Sequence, residues 1–254
     1  MSKMKNNLIR VGQIVPSSNV TMETEIPAML RAREGISPER FSFHSSRMRM
    51  KNVTKEELQA MDADSGRCAL ELSDARMDVL GYACLVAIMS MGNGYHRNAQ
   101  LNLQKITEEN NAAAPVVTSA GALIDGLHAL GAKTISFVCP YMDSLARLVV
   151  DYIESEGIKV KDYLALEIPD NLEVAAQDPN NLLEHFKKVD TEGIDVLVLS
   201  ACVQMPSLAA VAKVEKILQI PVTSSSICTT WQMLKSLNLS TYVPEAGELL
   251  SGKY

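Results

Sequence analysis

Cys84 and Cys202 close two nearly matching stretches, Asp78-Val79-Leu80-Gly81-Tyr82-Ala83-Cys84 and Asp195-Val196-Leu197-Val198-Leu199-Ser200-Ala201-Cys202. Each is an apolar run ended by a small residue and a thiol. That pattern lets a buried strand deliver a cysteine to the end of a sheet. In parallel α/β folds ligands bind beyond the carboxyl ends of the strands, where helix N-termini favour anions. The same surroundings favour thiolate over thiol. The backbone after Cys84 (Leu85, Val86) and after Cys202 (Val203, Gln204) supplies a cradle of N–H groups on each side. Two thiols and two cradles suit a small dianion. Cysteine also packs as an inert small hydrophobe, but inert packing does not require the match between the two positions.

Other strand ends carry polar residues. Pro16-Ser17-Ser18-Asn19 follows a first apolar run, and Pro140-Tyr141 follows its counterpart. Asn19 either donates its amide to a carboxylate or caps the next helix. Tyr141 either offers its phenol or sits in a surface turn. Pro169-Asp170-Asn171 reads as a turn whose Asn171 can reach inward. Gly92-Asn93-Gly94-Tyr95-His96-Arg97 is a lid or a helix-starting turn. Cys68 and Cys228 read as structural, and Cys139 as buried in its strand.

The elements that must hold these groups alternate strand and helix. Strands are expected over 8–15, 40–45, 77–83, 115–118, 133–139, 160–166, 194–200 and 220–223. Helices are expected over 20–33, broken or restarted at Pro27, and over 54–76, started by the capping box Thr54-Lys55-Glu56-Glu57. Further helices are expected over 95–110, 119–130, 142–156, 180–189, 207–218 and 226–237. Strands alternating with helices imply parallel sheets covered on both faces. Pro16 matches Pro140, Cys84 matches Cys202 and Pro115 matches Pro221, at separations of 124, 118 and 106 and in the same order. The reading is α/β: two similar doubly wound parallel-sheet domains related by a pseudo-twofold axis. The first would span 1–118, with 226–254 packing back on it, and the second 119–225.

Composition bounds the partners. Of 254 residues, 47% are hydrophobic and 21% charged, and the formal net charge is −6. A nucleic-acid partner is therefore not expected. No apolar run approaches the roughly 20 residues of a membrane span. The polar start, Met1 to Arg10, lacks a signal-peptide pattern, so the expected compartment is the cytoplasm. Five scattered cysteines without a CxxC pair, and four histidines, argue against a disulfide framework and against a structural zinc site. No metal is expected.

The chain resembles the Asp/Glu racemase superfamily, in which each of two similar α/β domains contributes a catalytic cysteine. Within it the closest likeness is to the maleate cis-trans isomerase family. The likeness runs almost end to end. It is carried by Val15-Pro16-Ser17-Ser18-Asn19-Val20-Thr21-Met22-Glu23, Tyr82-Ala83-Cys84-Leu85-Val86-Ala87, Cys139-Pro140-Tyr141, Pro169-Asp170-Asn171 and Ser200-Ala201-Cys202-Val203-Gln204-Met205-Pro206. Racemases of the superfamily follow their cysteines with Asn-Thr and Thr-His, which this chain lacks. The decarboxylase branch keeps a cysteine only in the second half.

The resemblance implies cofactor-independent isomerisation of maleate to fumarate. Cys84 would be the attacking thiolate and Cys202 its partner, with Asn19, Tyr141 and Asn171 holding the substrate. It also implies a homodimer or larger homo-oligomer and a place in nicotinate degradation. Two other readings stay open: a two-cysteine racemase or epimerase working by proton transfer, and a non-catalytic dicarboxylate-binding protein.

Overall fold

The computed structural model describes residues 7–51 and 54–254, and the polar stretch 1–6 lies outside the described residues. The first half runs β1 (Leu8–Pro16), α1 (Met22–Arg33), β2 (Arg40–Met48), α2 (Lys55–Asp74), β3 (Val79–Tyr82), α3 (Leu85–Ser90), α4 (Tyr95–Glu109) and β4 (Val116–Thr118). Then follow α5 (Ser119–Ala129), β5 (Thr134–Cys139), α6 (Asp143–Ser155), β6 (Lys159–Ala165), α7 (Asn171–Ala175) and α8 (Leu182–His185). The chain closes with β7 (Val196–Ser200), α9 (Leu208–Leu218), β8 (Val222–Ser224) and α10 (Ser225–Ser236).

Among the described residues the strands form two four-stranded parallel sheets, ordered β2-β1-β3-β4 and β6-β5-β7-β8. The orders coincide once the second is shifted by four strands, so the repeat read from short matches extends to the topology. Every residue of β3 and β7 is buried, because each lies between two neighbouring strands with both faces covered. That is why both read as unbroken apolar runs rather than alternating ones. In each sheet the strand order reverses beside the first strand, between β1 and β3 and between β5 and β7. Such a reversal opens a crevice at the carboxyl ends.

β4 and β8 pass directly into α5 and α10. Thr118 and Ser224 cap these helices, accepting from Gly121 N–H at 3.1 Å and Ile227 N–H at 3.4 Å. α10 packs on α1, α5 and the face of β3 and β4. A Cβ at Gly126 would stand 2.8 Å from Cys228 Sγ, so glycine there sets the approach of α5 to α10. Cys228 is buried in that contact.

Several elements differ from expectation. α1 runs unbroken through Pro27. Its buried face of Ile26, Met29 and Leu30 outweighs the one missing backbone bond. β2 continues to Met48 because it pairs with β1 along its whole length, to Pro16. The helix expected over 180–189 is three short pieces, two of them 3₁₀ turns flanking α8. It buries little beyond Leu182, Phe186 and Val189, and packing is what sustains so short a helix. Asn171 opens α7 instead of closing a turn: Asp170 accepts from Leu172 N–H at 2.7 Å and Glu173 N–H at 3.2 Å. α3 has no counterpart among the expected helices, since a buried run without periodicity gives no helical signal. No helix among the described residues is long and apolar enough to cross a membrane.

Candidate active site

The two crevices face one another, and one cavity lies between them. Asn19, Cys84, Leu85, Val86, Tyr141, Asn171, Cys202, Val203 and Gln204 all line it, joined by Pro16 and Met50. Asn19 and Cys84 follow β1 and β3. Tyr141 and Cys202 follow β5 and β7. Each sheet thus gives the cavity the two strand ends that border its reversal. The cavity volume is about 20 Å³, room for about one water. A neighbouring apolar cavity of about 270 Å³ shares Tyr141, Asn171 and Cys202 and is bordered by Thr54, Leu145, Ile168 and Val174.

The Pro-Ser-Ser-Asn stretch now has separate tasks for each residue. Ser17 Oγ donates to Met50 O at 3.1 Å and accepts from Met50 N–H at 3.0 Å, which holds Met50 at the cavity wall. Ser18 Oγ accepts from Asn171 Nδ2 at 2.7 Å. Asn19 Oδ1 accepts from Met22 N–H at 3.0 Å and so caps α1. Its amide nitrogen has no partner among the described residues, so the capping and donating readings of Asn19 are compatible. Arg47 braces the segment from outside, donating to the carbonyls of Ser17 at 3.1 Å and Asn19 at 2.9 Å and pairing with Glu23.

The thiols are held differently. Cys84 has φ 86° and ψ 75°, a left-handed conformation that costs a non-glycine residue about 1–2 kcal/mol. Cys202 is not among the residues of positive φ. Their exposures are close, 9% for Cys84 and 8% for Cys202. Burial pushes the Cys84 thiol up to about 12, opposed by the Ala87 N–H, and the Cys202 and Asp62 charges add to the rise. Burial also raises Cys202, but three donors oppose it: the Tyr141 hydroxyl and the N–H groups of Gln204 and Met205. The Tyr141 phenol is itself raised well above its ordinary value by burial and by the two thiols. The expected preference for thiolate is therefore reversed at Cys84. Desolvation outweighs the single N–H that the start of α3 brings to the sulfur.

The backbone N–H groups of Leu85, Val86 and Val203 carry no hydrogen bond among the described residues. Gln204 N–H points to Cys202 Sγ at 3.4 Å. Ser200 Oγ donates to the carbonyls of Cys202 at 2.9 Å and Met205 at 3.1 Å, which ties down the loop bearing Cys202. Glu25 holds the far end of that loop. Its Oε1 accepts from Ser207 and Leu208 N–H, both at 2.6 Å, and its Oε2 from Ser226 Oγ at 2.5 Å. A carboxylate from α1 thus caps α9. Sequence reasoning missed Glu25, Arg47 and Met50, because their partners lie far away in the chain.

The Gly92–Arg97 segment lies elsewhere. Gly94, at φ 71°, starts α4. Arg97 pairs with Glu156 through contacts of 2.8 and 2.7 Å, and His96 Nδ1 meets Tyr152 Oη at 2.5 Å. The segment is clamped to α6, and none of its residues lines the cavity. Burial lowers the His96 pKa, as expected of a neutral ring in a packed interface. Cys68 and Cys139 are buried and do not line the cavity. No group of three or more His, Cys, Asp or Glu among the described residues could hold a metal.

Comparison with known proteins adds a lineage to this geometry. The family model described as arylmalonate decarboxylase matches residues 11–250. A maleate isomerase of Pseudomonas putida is 64% identical over 97% of this chain and 99% of its own. The crystal structure of a cysteine-to-alanine variant of a Pseudomonas putida maleate isomerase, solved with maleate, has a TM-score of 0.96 at 64% identity, covering 97% of this chain and 99% of that one. A cysteine-to-serine variant of Nocardia farcinica maleate cis-trans isomerase carries a covalently bound succinylcysteine intermediate. It has a TM-score of 0.93 at 43% identity, covering 97% of this chain and all of that one.

Proposed function

The chain belongs to the arylmalonate decarboxylase family, with the fold of the Asp/Glu racemases, and from that premise we propose that it isomerises maleate to fumarate through a covalent cysteine adduct. The observation that carries this reading is the shared cavity, where thiols from equivalent strand ends meet amides from both halves.

The family likeness gives the attack to Cys84, and the donors around Cys202 suit that sulfur to bear charge. Cys84 first gives its proton to water, and the thiolate so formed adds to one alkene carbon of maleate while the electron pair of the double bond moves toward the far carboxylate. The amides of Asn19 and Asn171 and the free N–H groups of Leu85, Val86 and Val203 receive that charge. The Cys202 thiol gives its proton to the second alkene carbon. The negative charge that began on Cys84 then rests on Cys202 sulfur, where Tyr141, Gln204 and Met205 donate to it. The former double bond is now single and rotates by about half a turn. Cys202 takes its proton back, the carbon–sulfur bond breaks, and fumarate leaves. Atoms and charge balance without a cofactor. A four-carbon dicarboxylate exceeds the present cavity volume, so binding must enlarge it; the adjoining apolar cavity is the nearest open space.

The test is maleate conversion followed by ultraviolet absorbance or NMR under reducing conditions. The wild type should turn over, while Cys84→Ala and Cys202→Ala should not. Mass spectrometry of Cys202→Ser treated with maleate should find a succinyl group on Cys84. An inactive wild type sinks the proposal, and an adduct on Cys202 reverses the roles. From the family likeness we also propose a cytoplasmic homo-oligomer, to be checked by fractionation and by light scattering.

A further inference from the structure

The Gln204 side chain is 2% exposed, and all of its hydrogen-bonding capacity is used at the rim of the cavity. Its Oε1 accepts from Val20 N–H at 3.0 Å and Thr21 N–H at 3.3 Å. Its Nε2 donates to Ser18 O at 2.9 Å and Asn171 O at 2.8 Å. Two acceptor positions and two donor hydrogens are the full inventory of a glutamine amide. Nothing of the side chain is left to touch a substrate.

The partners are what matter. Ser18 and Val20 flank Asn19, so one side chain fixes the backbone on both sides of that residue. The same amide fixes the backbone of Asn171, whose own Nδ2 donates to Ser18 Oγ at 2.7 Å. Gln204 therefore joins the cavity amide of the first half to that of the second, two residues from Cys202. The counterpart of Gln204 in the repeat is Val86, so the strand–loop–helix connection does not itself require an amide here. Burying one is costly unless every group is paired.

We propose that Gln204 is a positioning residue: it sets the Asn19 and Asn171 amides as one unit against Cys202, so that the substrate carboxylates meet donors from both halves in fixed register. This deepens the reading of the cavity as a dicarboxylate site and rests on it.

Two variants of nearly native shape test the idea. Gln204→Glu keeps the acceptor side but turns a second acceptor toward two carbonyls; protonation restores one donor. Burial and those carbonyls raise a glutamate's pKa. Its kcat/KM for maleate, taken as a ratio to wild type, should fall at least about tenfold at pH 7.5 and recover severalfold toward pH 5.5. Gln204→Met removes all four bonds, so it should lose at least about tenfold at every pH, chiefly through KM.

A second readout needs no turnover. Alkylation of Cys84 by neutral iodoacetamide without substrate should stay within about twofold of wild type, because Gln204 does not act on that sulfur. The maleate concentration that protects Cys84 should rise with KM. Variants with native kcat/KM but lower thermal stability would show a brace without a role in recognition. A pH-independent loss in Gln204→Glu, or unchanged protection by maleate, would also overturn the proposal. If Gln204→Met fails to fold, the pH ratio of Gln204→Glu decides. A wild type neither active on maleate nor protected by it removes both readings; an active wild type matched by its variants removes this one alone.

Discussion

The left-handed conformation of Cys84 can be weighed by substitution. At φ 86° and ψ 75°, Cβ strain at a site held by its surroundings is worth about 1–3 kcal/mol. Alanine keeps the Cβ and therefore the strain; glycine removes both. Glycine also loses a buried methyl, worth about 0.8 kcal/mol, and costs about 0.5–1 kcal/mol in chain entropy. Those two costs recur at Cys202, which sits at the equivalent strand end with nearly equal burial and no positive φ. The stability of Cys84→Gly relative to Cys84→Ala, minus the same difference at Cys202, thus isolates the strain. It should favour glycine at position 84 by about 1–3 kcal/mol. Urea unfolding of the four variants measures this directly. In thermal scans each kcal/mol corresponds to about 2–4 °C for a chain of this size. A double difference below about 0.5 kcal/mol, or one favouring alanine, would refute the claim that Cys84 is held under strain.

Other outcomes follow from burial and from the distant contacts. Because Cys84 is pushed up to about 12, its alkylation by iodoacetamide should rise about tenfold per pH unit from pH 7 past 9; a plateau near the ordinary thiol value would contradict this. Burial likewise holds Cys84, Cys139 and Cys228 at about 12 in the fold, against about 8.5 in an unfolded chain. The stability these groups contribute is complete below about pH 8.5 and is lost as pH rises toward 12, since the unfolded state gives up its protons first. Stability should therefore fall with rising pH above about 8.5, with the raised Cys68 and Cys202 adding to the slope, and Cys228→Ala should make the fall less steep. A urea midpoint flat from pH 8 to 10 under reducing conditions would sink this account. Glu25→Ala strips the acceptor from Ser207 N–H and Leu208 N–H and leaves Ser226 Oγ only Ser224 Oγ at 3.1 Å, and should cost roughly 2–4 kcal/mol in urea unfolding. Glu25→Gln keeps one acceptor and should lose less.

How much of this was legible depends on the range over which each residue acts. The thiols, the strand ends and the repeat could be read because an apolar run, a proline and a capping residue are local signals. Asn19, Cys84, Tyr141 and Cys202 follow from the rule for strand ends, whereas Asn171 reads as a turn without the family likeness and Met50 gives no local signal. Gln204 was singled out for its backbone, while its side chain works on Ser18, Val20 and Thr21 in the other half of the chain. Glu25 looks like an ordinary first-turn acid of α1, and nothing near it indicates that it caps α9. Backbone strain is hidden more deeply. A cysteine gives no hint of positive φ, and residue statistics argue against it there. The sequence favours thiolate at Cys84 because a helix start is a local signal, whereas the depth of burial that overrides it is not.

The repeat supplies a symmetric frame, but the donors and the strain within it are distributed unequally. Cys84 meets one backbone N–H and sits in a strained conformation; Cys202 meets a phenol and two backbone N–H groups in a relaxed one. The ionised sulfur of a high-pKa thiol is the stronger nucleophile, but little of Cys84 is ionised near neutral pH, so its attack depends on losing the proton when substrate binds. A sulfur surrounded by donors is better suited to bear charge after giving a proton away. Exchanging the roles would leave the charge that follows proton transfer on the poorly stabilised sulfur of Cys84. The proposed division of labour thus takes its attacker from the family likeness and its charge-bearing partner from the donors around Cys202, and a sequence with cysteines at both strand ends leaves that choice open.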